Sequence, residues 1–511
     1  MYIGDYLARR ELYSPDKLAF IDAGKSPEWR LTYHDANQRA NKLANWLKSQ
    51  GVGKGDRVAI LARDGYEHLD CFFACSKLGA IHTALNWRLS WHELLEIFQY
   101  TTPKILIFSD DFRENVKQLT DHWSLITVHL DGNGVGDSFH FETTLQASPD
   151  SPVTCETLEA EDIAALIFTG GTTGLPKAAE VSHRMIAWNT LNTVIHDVTH
   201  NDTYLNVFPM FHTGGLFVYT LPQVIFGGTT ILIRAFDPAQ VLDLLQREEV
   251  TIFAAVPTMY QMLTTAPNWA EADLSSLRFC TSGGAPLPVP LVEKYTAEKG
   301  IRFKQGFGMT EFGPGIFALA PEDAIRKAGS IGRPNFFVDA KIVDDENNFL
   351  GPDEEGELVL KGESYCSGYF NNPEATAAAV DERGYFHTGD VARFDAEGYF
   401  YIVDRKKDMF ISGGENVYPA EIEKALYQHP AVHMCAVIGL PDPKWGEVGK
   451  ACVVLKPGNT VSEAELLEFL SARLAKYKVP RSVAFLDALP ISAAGKILKR
   501  ELRARYIEDG K

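Results

Sequence analysis

Positive charge is scarce in this chain: 49 lysines and arginines stand against 67 aspartates and glutamates, a net charge of −18 over 511 residues. Nucleic-acid binding wants a basic face, so this balance argues against it as a general role. Any anionic ligand must be met by local cations set in an acidic background. Cysteine pairing signals are missing too. Cys71, Cys75, Cys155, Cys280, Cys366, Cys435 and Cys452 are odd in number and contain no Cys-x-x-Cys pair. That fits reduced, mostly buried thiols in a cytoplasmic protein. Cys71 and Cys75 stand at helical spacing and read as core, since no His or Cys cluster completes a metal site. No apolar run reads as a membrane span: residues 207–233 are interrupted by Pro209, His212, Pro222, Gln223 and paired glycines. The first residues carry no signal-peptide pattern, and Glu508-Asp509-Gly510-Lys511 is not a peroxisomal tripeptide. No appended carrier domain, internal repeat or low-complexity segment is expected. What remains, 45% hydrophobic and 23% charged residues, is the composition of a soluble globular protein. Its length calls for more than one domain.

One loop stands out. Thr169-Gly170-Gly171-Thr172-Thr173-Gly174-Leu175-Pro176-Lys177 follows an apolar run, Ile163 to Phe168, that reads as a buried strand. Glycines let backbone N–H groups converge on phosphate oxygens. The threonines add hydroxyl donors and Lys177 adds a charge. The Walker loop ends Gly-Lys-Ser/Thr, whereas here Pro176 precedes the lysine and Ala178 follows it. The loop therefore points to a nucleoside triphosphate held outside the P-loop fold. Alone it would also pass as an ordinary turn.

Four downstream segments fit the same ligand. Ser282-Gly283-Gly284-Ala285-Pro286-Leu287 offers bare backbone on which a flat base can lie. In Gln305-Gly306-Phe307-Gly308-Met309-Thr310-Glu311, Phe307 can stack on adenine, Thr310 can donate to phosphate and Glu311 can hold Mg2+. His387-Thr388-Gly389-Asp390 ends in a carboxylate suited to both ribose hydroxyls. Asp404-Arg405-Lys406-Lys407-Asp408 brings cations. Each is weak alone, since Glu311 could cap a helix and Asp390 could close a turn; the ordered set is specific.

With these motifs the chain resembles the adenylate-forming superfamily of acyl-CoA synthetases, peptide-synthetase adenylation domains and luciferases. The resemblance runs from Leu31-Thr32-Tyr33 to Arg500. It includes Pro209-Met210-Phe211-His212, Lys327 to Pro334, Gly356-Glu357-Leu358, Gly368-Tyr369, Pro373-Glu374 and Pro490 to Ile497. Within it, fatty-acid and aryl-acid CoA ligases match best.

Alternating helix and strand patterns through residue 300, such as the amphipathic stretch Ala36 to Leu47 and the strand Arg57 to Leu61, predict parallel α/β layers. Residues 340–360 alternate around turns and predict a smaller β-rich subdomain. Glu421 to Tyr427 and Glu463 to Lys476 read as helices, Met434 to Gly439 and Ala451 to Leu455 as strands. The expected fold class is α/β: a large N-terminal domain over 1–404, holding the ATP and acid sites, and a small mobile α+β lid over 405–511.

The resemblance implies a two-step reaction. A carboxylate is first joined to AMP with release of pyrophosphate; a thiol then takes the acyl group. One anion must attack another, so cations and alignment are required. By resemblance, Mg2+ sits at Glu311 and the loop from Thr169 to Lys177 holds the leaving phosphates. Lys496, in Gly495-Lys496-Ile497, reaches from the lid to the reacting carboxylate; read alone, it would be a solvated lysine. Lys407 is the hinge, and Gly413, Gly414 and Glu415 form the lid face that admits the pantetheine arm of CoA. Gly413-Gly414 also reads as a plain turn. Three positions depart from the family pattern: Gly170 replaces a common serine, Ala178 a common glycine and His387 a common arginine or lysine.

Amino-acid-activating relatives place an aspartate near the acid pocket. No acid occurs around Phe211-His212-Thr213-Gly214-Gly215-Leu216-Phe217, and Val256 and Gly308 are apolar or small. The substrate expected is an uncharged acyl group, with Gly214 and Gly215 leaving space for a fatty, aryl or phenylpropenoid acid. His212 lines this site by the same reading; as a lone histidine it would be a packed core residue. The expected activity is an ATP-dependent acyl-CoA ligase. The alternative is a stand-alone adenylating enzyme that loads a carrier protein, and a homodimer is one assembly the resemblance allows.

Overall fold

Short strands such as Ile105–Phe108, Ile81–Ala84 and Ile252–Ala255 are buried along their whole length. Strands apolar on both faces belong in parallel sheets covered by helices on each side, and that is how the computed structural model arranges them. It describes residues 3–169, 177–285, 287–406, 408–412, 415–492 and 497–508. The chain divides into two units: Met1–Asp339 with Lys361–Ala379, and Ala340–Leu360 with Val380–Lys511.

The first unit carries two sheets. The seven-stranded one is parallel from Phe139–His140 through Ile163–Thr169 and ends with an antiparallel strand, Lys177–Ser182. The nine-stranded one has a parallel centre that includes Thr203–Asn206, Ile252–Ala255, Phe279–Ser282 and Phe303–Met309. The chain then turns back antiparallel along Gly313–Leu319. The helix expected around Ala36 to Leu47 spans Tyr33–Ser49, begun by a capping box between Thr32 and Asp35.

The second unit holds a four-stranded sheet, Asp339–Val343, Gly356–Lys361, Phe386–Phe394 and Phe400–Arg405. It also holds a five-stranded sheet built on the long hairpin Val432–Asp442 and Gly446–Leu455. Helices Pro419–Leu426 and Glu463–Ser471 pack their apolar faces into the core beside that hairpin, with Ile422, Leu426, Leu466 and Leu470 buried. The β-rich stretch of residues 340–360 is thus present, and the boundary expected at 404/405 falls inside the second unit. Among the described residues no helix is long and apolar enough to cross a membrane.

Candidate active site

Thr169 and Lys177 are register partners across an antiparallel strand pair, and the Thr169 hydroxyl donates to the Lys177 carbonyl at 3.2 Å. The phosphate-binding residues expected between them, Gly170, Gly171, Thr172, Thr173 and Gly174, lie outside the described residues. A strand–loop–strand frame separates this loop from the Walker arrangement, in which a helix follows. Ala178, one of the expected departures from the family pattern, is fully buried in an apolar cluster with Ile81 and Leu166. Its methyl is a packing group.

The free edge of the strand Lys177–Ser182 takes up residues 367–370. Ser367 N donates to Glu180 O at 2.9 Å, Glu180 N to Gly368 O at 2.9 Å and Phe370 N to Ala178 O at 2.9 Å. This places the Tyr369 ring under Lys177, whose Nζ stands 4.7 Å from the ring centroid. The same phenol donates to Glu311 Oε1 at 3.0 Å. Burial, then the neighbouring Glu311 charge, pushes the Tyr369 phenol above its ordinary pKa, so it stays a donor. Lys177 and Glu311, both expected from sequence, are therefore joined through a tyrosine to which the sequence assigned no role.

Thr310 and Glu311 occupy the connection where Phe303–Met309 turns into Gly313–Leu319. Gly308 is required there: a Cβ on it would lie 2.3 Å from Pro314 O. Phe307 is half-buried and meets Phe317 edge-on at 5.8 Å. Nearby, Gly284 and Ala285 are exposed, and among the described residues a Cβ on Gly284 would meet only Val256 Cγ1, at 3.5 Å. The bare backbone expected for a base is thus open, with Val256 at its border. Pro286 lies outside the described residues.

The loop expected to line the acid site is held from within. His212 caps the short helix Thr213–Phe217, its Nδ1 accepting from Gly214 N at 3.1 Å, which leaves the neutral ring's proton on Nε2. Asn206 Nδ2 donates to Gly215 O at 3.1 Å, and Asn189 Nδ2 donates to Phe217 O at 2.7 Å. The expectation that Gly214 and Gly215 leave space is corrected here. A Cβ on Gly215 would stand 2.3 Å from Pro209 O, and one on Gly214 would stand 3.1 Å from Phe208 Cγ. These glycines permit a close approach of helix to loop. Phe211 and Thr213 are buried beside them.

An acid also reaches this loop from elsewhere in the chain: Asp64 Oδ1 accepts from Met210 N at 2.7 Å. Burial raises the Asp64 pKa to about 7, against the opposing pull of Arg88, Arg63 and Arg234. With its oxygen on the backbone and three guanidinium groups nearby, it is not set up to receive an ammonium.

In the second unit, Asp390 Oδ1 lies 2.5 Å from Arg405 Nε. Glu357 braces the turn before Asp390: it accepts from Gly389 N at 3.0 Å, and its other oxygen lies 3.3 Å from His387 Nδ1 and 3.4 Å from Lys406 Nζ. His387 thus meets a carboxylate rather than standing alone. Glu415 lies in the strand Glu415–Val417, opposite Ser412. Ile491 and Ile497 form an isolated bridge on either side of the segment that carries Lys496. Lys407, Gly413, Gly414 and Lys496 lie outside the described residues.

Residues 7–370 match the family described as AMP-binding enzyme, and residues 421–496 match its C-terminal domain. The chain belongs to the AMP-binding enzyme family. As an AMP-binding enzyme it is similar to a feruloyl-CoA synthase of Amycolatopsis sp., 42% identical over 99% of each chain. It is also similar to the long-chain-fatty-acid–CoA ligase FadD13 of Mycobacterium tuberculosis, 38% identical over 99% of this chain and 98% of the other. Among solved structures, ATP-bound MatB from Rhodopseudomonas palustris matches with a TM-score of 0.91 and 32% identity over 100% of both chains. The α/β fold and the adenylate-forming superfamily stand as expected.

A metal in this AMP-binding enzyme would have few protein ligands. Among the described residues no three His, Cys, Asp or Glu side chains gather as a metal site. Glu311 offers a carboxylate with one acceptor position taken by Tyr369. That suits Mg2+, which keeps waters and takes the rest of its shell from phosphates.

Proposed function

We propose that this chain activates an uncharged carboxylic acid, of the phenylpropenoid or fatty class, as its adenylate and passes the acyl group to CoA. It is an AMP-forming acid–thiol ligase. The observation that carries the adenylation step is Tyr369 holding Glu311 on its hydroxyl and Lys177 over its face. An anionic nucleophile must approach an anionic phosphate; Lys177 offers a cation against that repulsion, and Glu311 would hold a second one as Mg2+.

Glu311 would hold Mg2+, which when bound would supply positive charge to the phosphates. Lys177, Thr169 and the loop between them bind the departing pyrophosphate. Thr310 donates to phosphate, Gly284, Ala285 and Phe307 take the base, and Asp390 takes the ribose while Arg405 fixes its carboxylate. His212 lines the acid site with Val256. Lys496 neutralises the charge that gathers on the reacting carboxylate and α-phosphate. Residues 405–511 then turn about Lys407, and Gly413, Gly414 and Glu415 admit the CoA arm.

Two observations support an uncharged tail. Asp64, the carboxylate that reaches the expected acid-site loop, is engaged on Met210 N. The relatives named for feruloyl-CoA and for long-chain fatty acids both point to acids without an ammonium. The phenylpropenoid class is favoured, at 42% identity against 38%. Seven free thiols support a reducing, cytoplasmic setting.

The test is ATP-dependent pyrophosphate release over fatty, aryl and phenylpropenoid acids, with and without CoA. CoA-dependent turnover on one class is expected. Release that ignores CoA would assign the second step to a carrier protein instead.

A further inference from the structure

The tyrosine of the motif Gly368-Tyr369 touches both Glu311 and Lys177, and its backbone setting shows how it is held there. Its backbone is fixed on both sides. Residues 367–370 pair with the strand that begins at Lys177. On the other side, Tyr369 N donates to Thr376 Oγ1 at 2.9 Å, at the helix Pro373–Ala378. Gly368 has φ +139°, and a Cβ there would stand 2.6 Å from Thr376 Cγ2, so only glycine lets the segment lie this close. Glu311 is gripped twice by the same stretch: Cys366 N donates to its carbonyl at 2.7 Å and the Tyr369 phenol to its carboxylate at 3.0 Å.

An ammonium and a carboxylate in one site tend to pair and cancel. Tyr369 engages each separately, the cation on its π face and the anion on its hydroxyl. We propose that Tyr369 is a positioning residue for adenylation: it orients the Glu311 carboxylate toward the metal of Mg·ATP and keeps Lys177 beside it for the phosphates. This rests on the reading of Glu311 as the metal carboxylate. Side chains that orient a metal ligand are worth about 10–100-fold in metal affinity.

The test is Mn2+ binding followed by electron paramagnetic resonance, with α,β-methylene-ATP present, on wild type, Tyr369→Phe, Tyr369→Leu and Glu311→Gln. Tyr369→Phe keeps the ring under Lys177 and loses only the hydroxyl. It is expected to weaken Mn2+ binding by about 10-fold, to leave metal-free binding of the analogue unchanged, and to regain pyrophosphate release at high Mg2+. Excess metal would not repair a folding defect. Tyr369→Leu is expected to weaken both metal and analogue; should it fail to fold, the phenylalanine variant decides. Wild-type Mn2+ affinity in Tyr369→Phe, with loss in Glu311→Gln, would overturn the role of the tyrosine and leave Glu311 standing. Wild-type affinity in Glu311→Gln would overturn both.

Discussion

Asp390 and Arg405 are register partners on adjacent antiparallel strands, and their side chains meet with Arg405 Nε 2.5 Å from Asp390 Oδ1. The carboxylate is almost wholly buried, at 2% exposure, while the guanidinium is 40% exposed. A buried carboxylate held by a guanidinium is a rigid hydrogen-bond acceptor, as a ribose-binding role would require. Asp390→Ala should raise the KM for ATP by about 10–100-fold, the worth of hydrogen bonds to a charged group. Pyrophosphate-release kinetics read this, with the thermal midpoint as the control. An unchanged KM in a folded variant would remove Asp390 from the nucleotide site.

Lys496→Ala should abolish adenylation while the variant still converts supplied acyl adenylate and CoA to thioester. The two half-reactions are assayed separately. Equal loss in both would contradict a lid that serves them with different faces.

Lys407→Pro should restrict the hinge, because proline locks φ and removes a donor. Thioester formation from supplied adenylate should fall while pyrophosphate release is largely kept. If thioester formation is spared, the hinge lies elsewhere.

His183 is fully buried, and burial lowers its pKa from 6.5 to about 4. Between those values the unfolded chain binds the proton and the folded chain does not. Stability therefore rises with pH across this window and is lost as pH falls from about 6.5 toward about 4. Relative to wild type, His183→Phe should gain about 1.4 kcal/mol per pH unit on acidification through that window. Urea unfolding at several pH values measures it; a constant difference would mean that His183 is protonated in the fold.

Much of this protein could be read along the chain. The apolar run before Thr169, the helix around Ala36 to Leu47 and the strand from Arg57 emerge because periodicity and capping are local properties. The motif residues Lys177, Glu311, Asp390 and Arg405 were recognisable by type and order. Gly214 and Gly215 read as space along the chain, because a glycine's sequence context does not say that the Phe208 side chain or the Pro209 backbone already stands where its missing Cβ would be.

The sequence by itself determined the family and the two-part α/β organisation. Only the tertiary structure decided which groups meet. Tyr369 and Glu311 are 58 positions apart, and Asp64 and Met210 are 146 apart. Their pairing follows from sheet order, edge pairing and register, which are settled when distant strands hydrogen-bond and are not written in the spacing of any one segment.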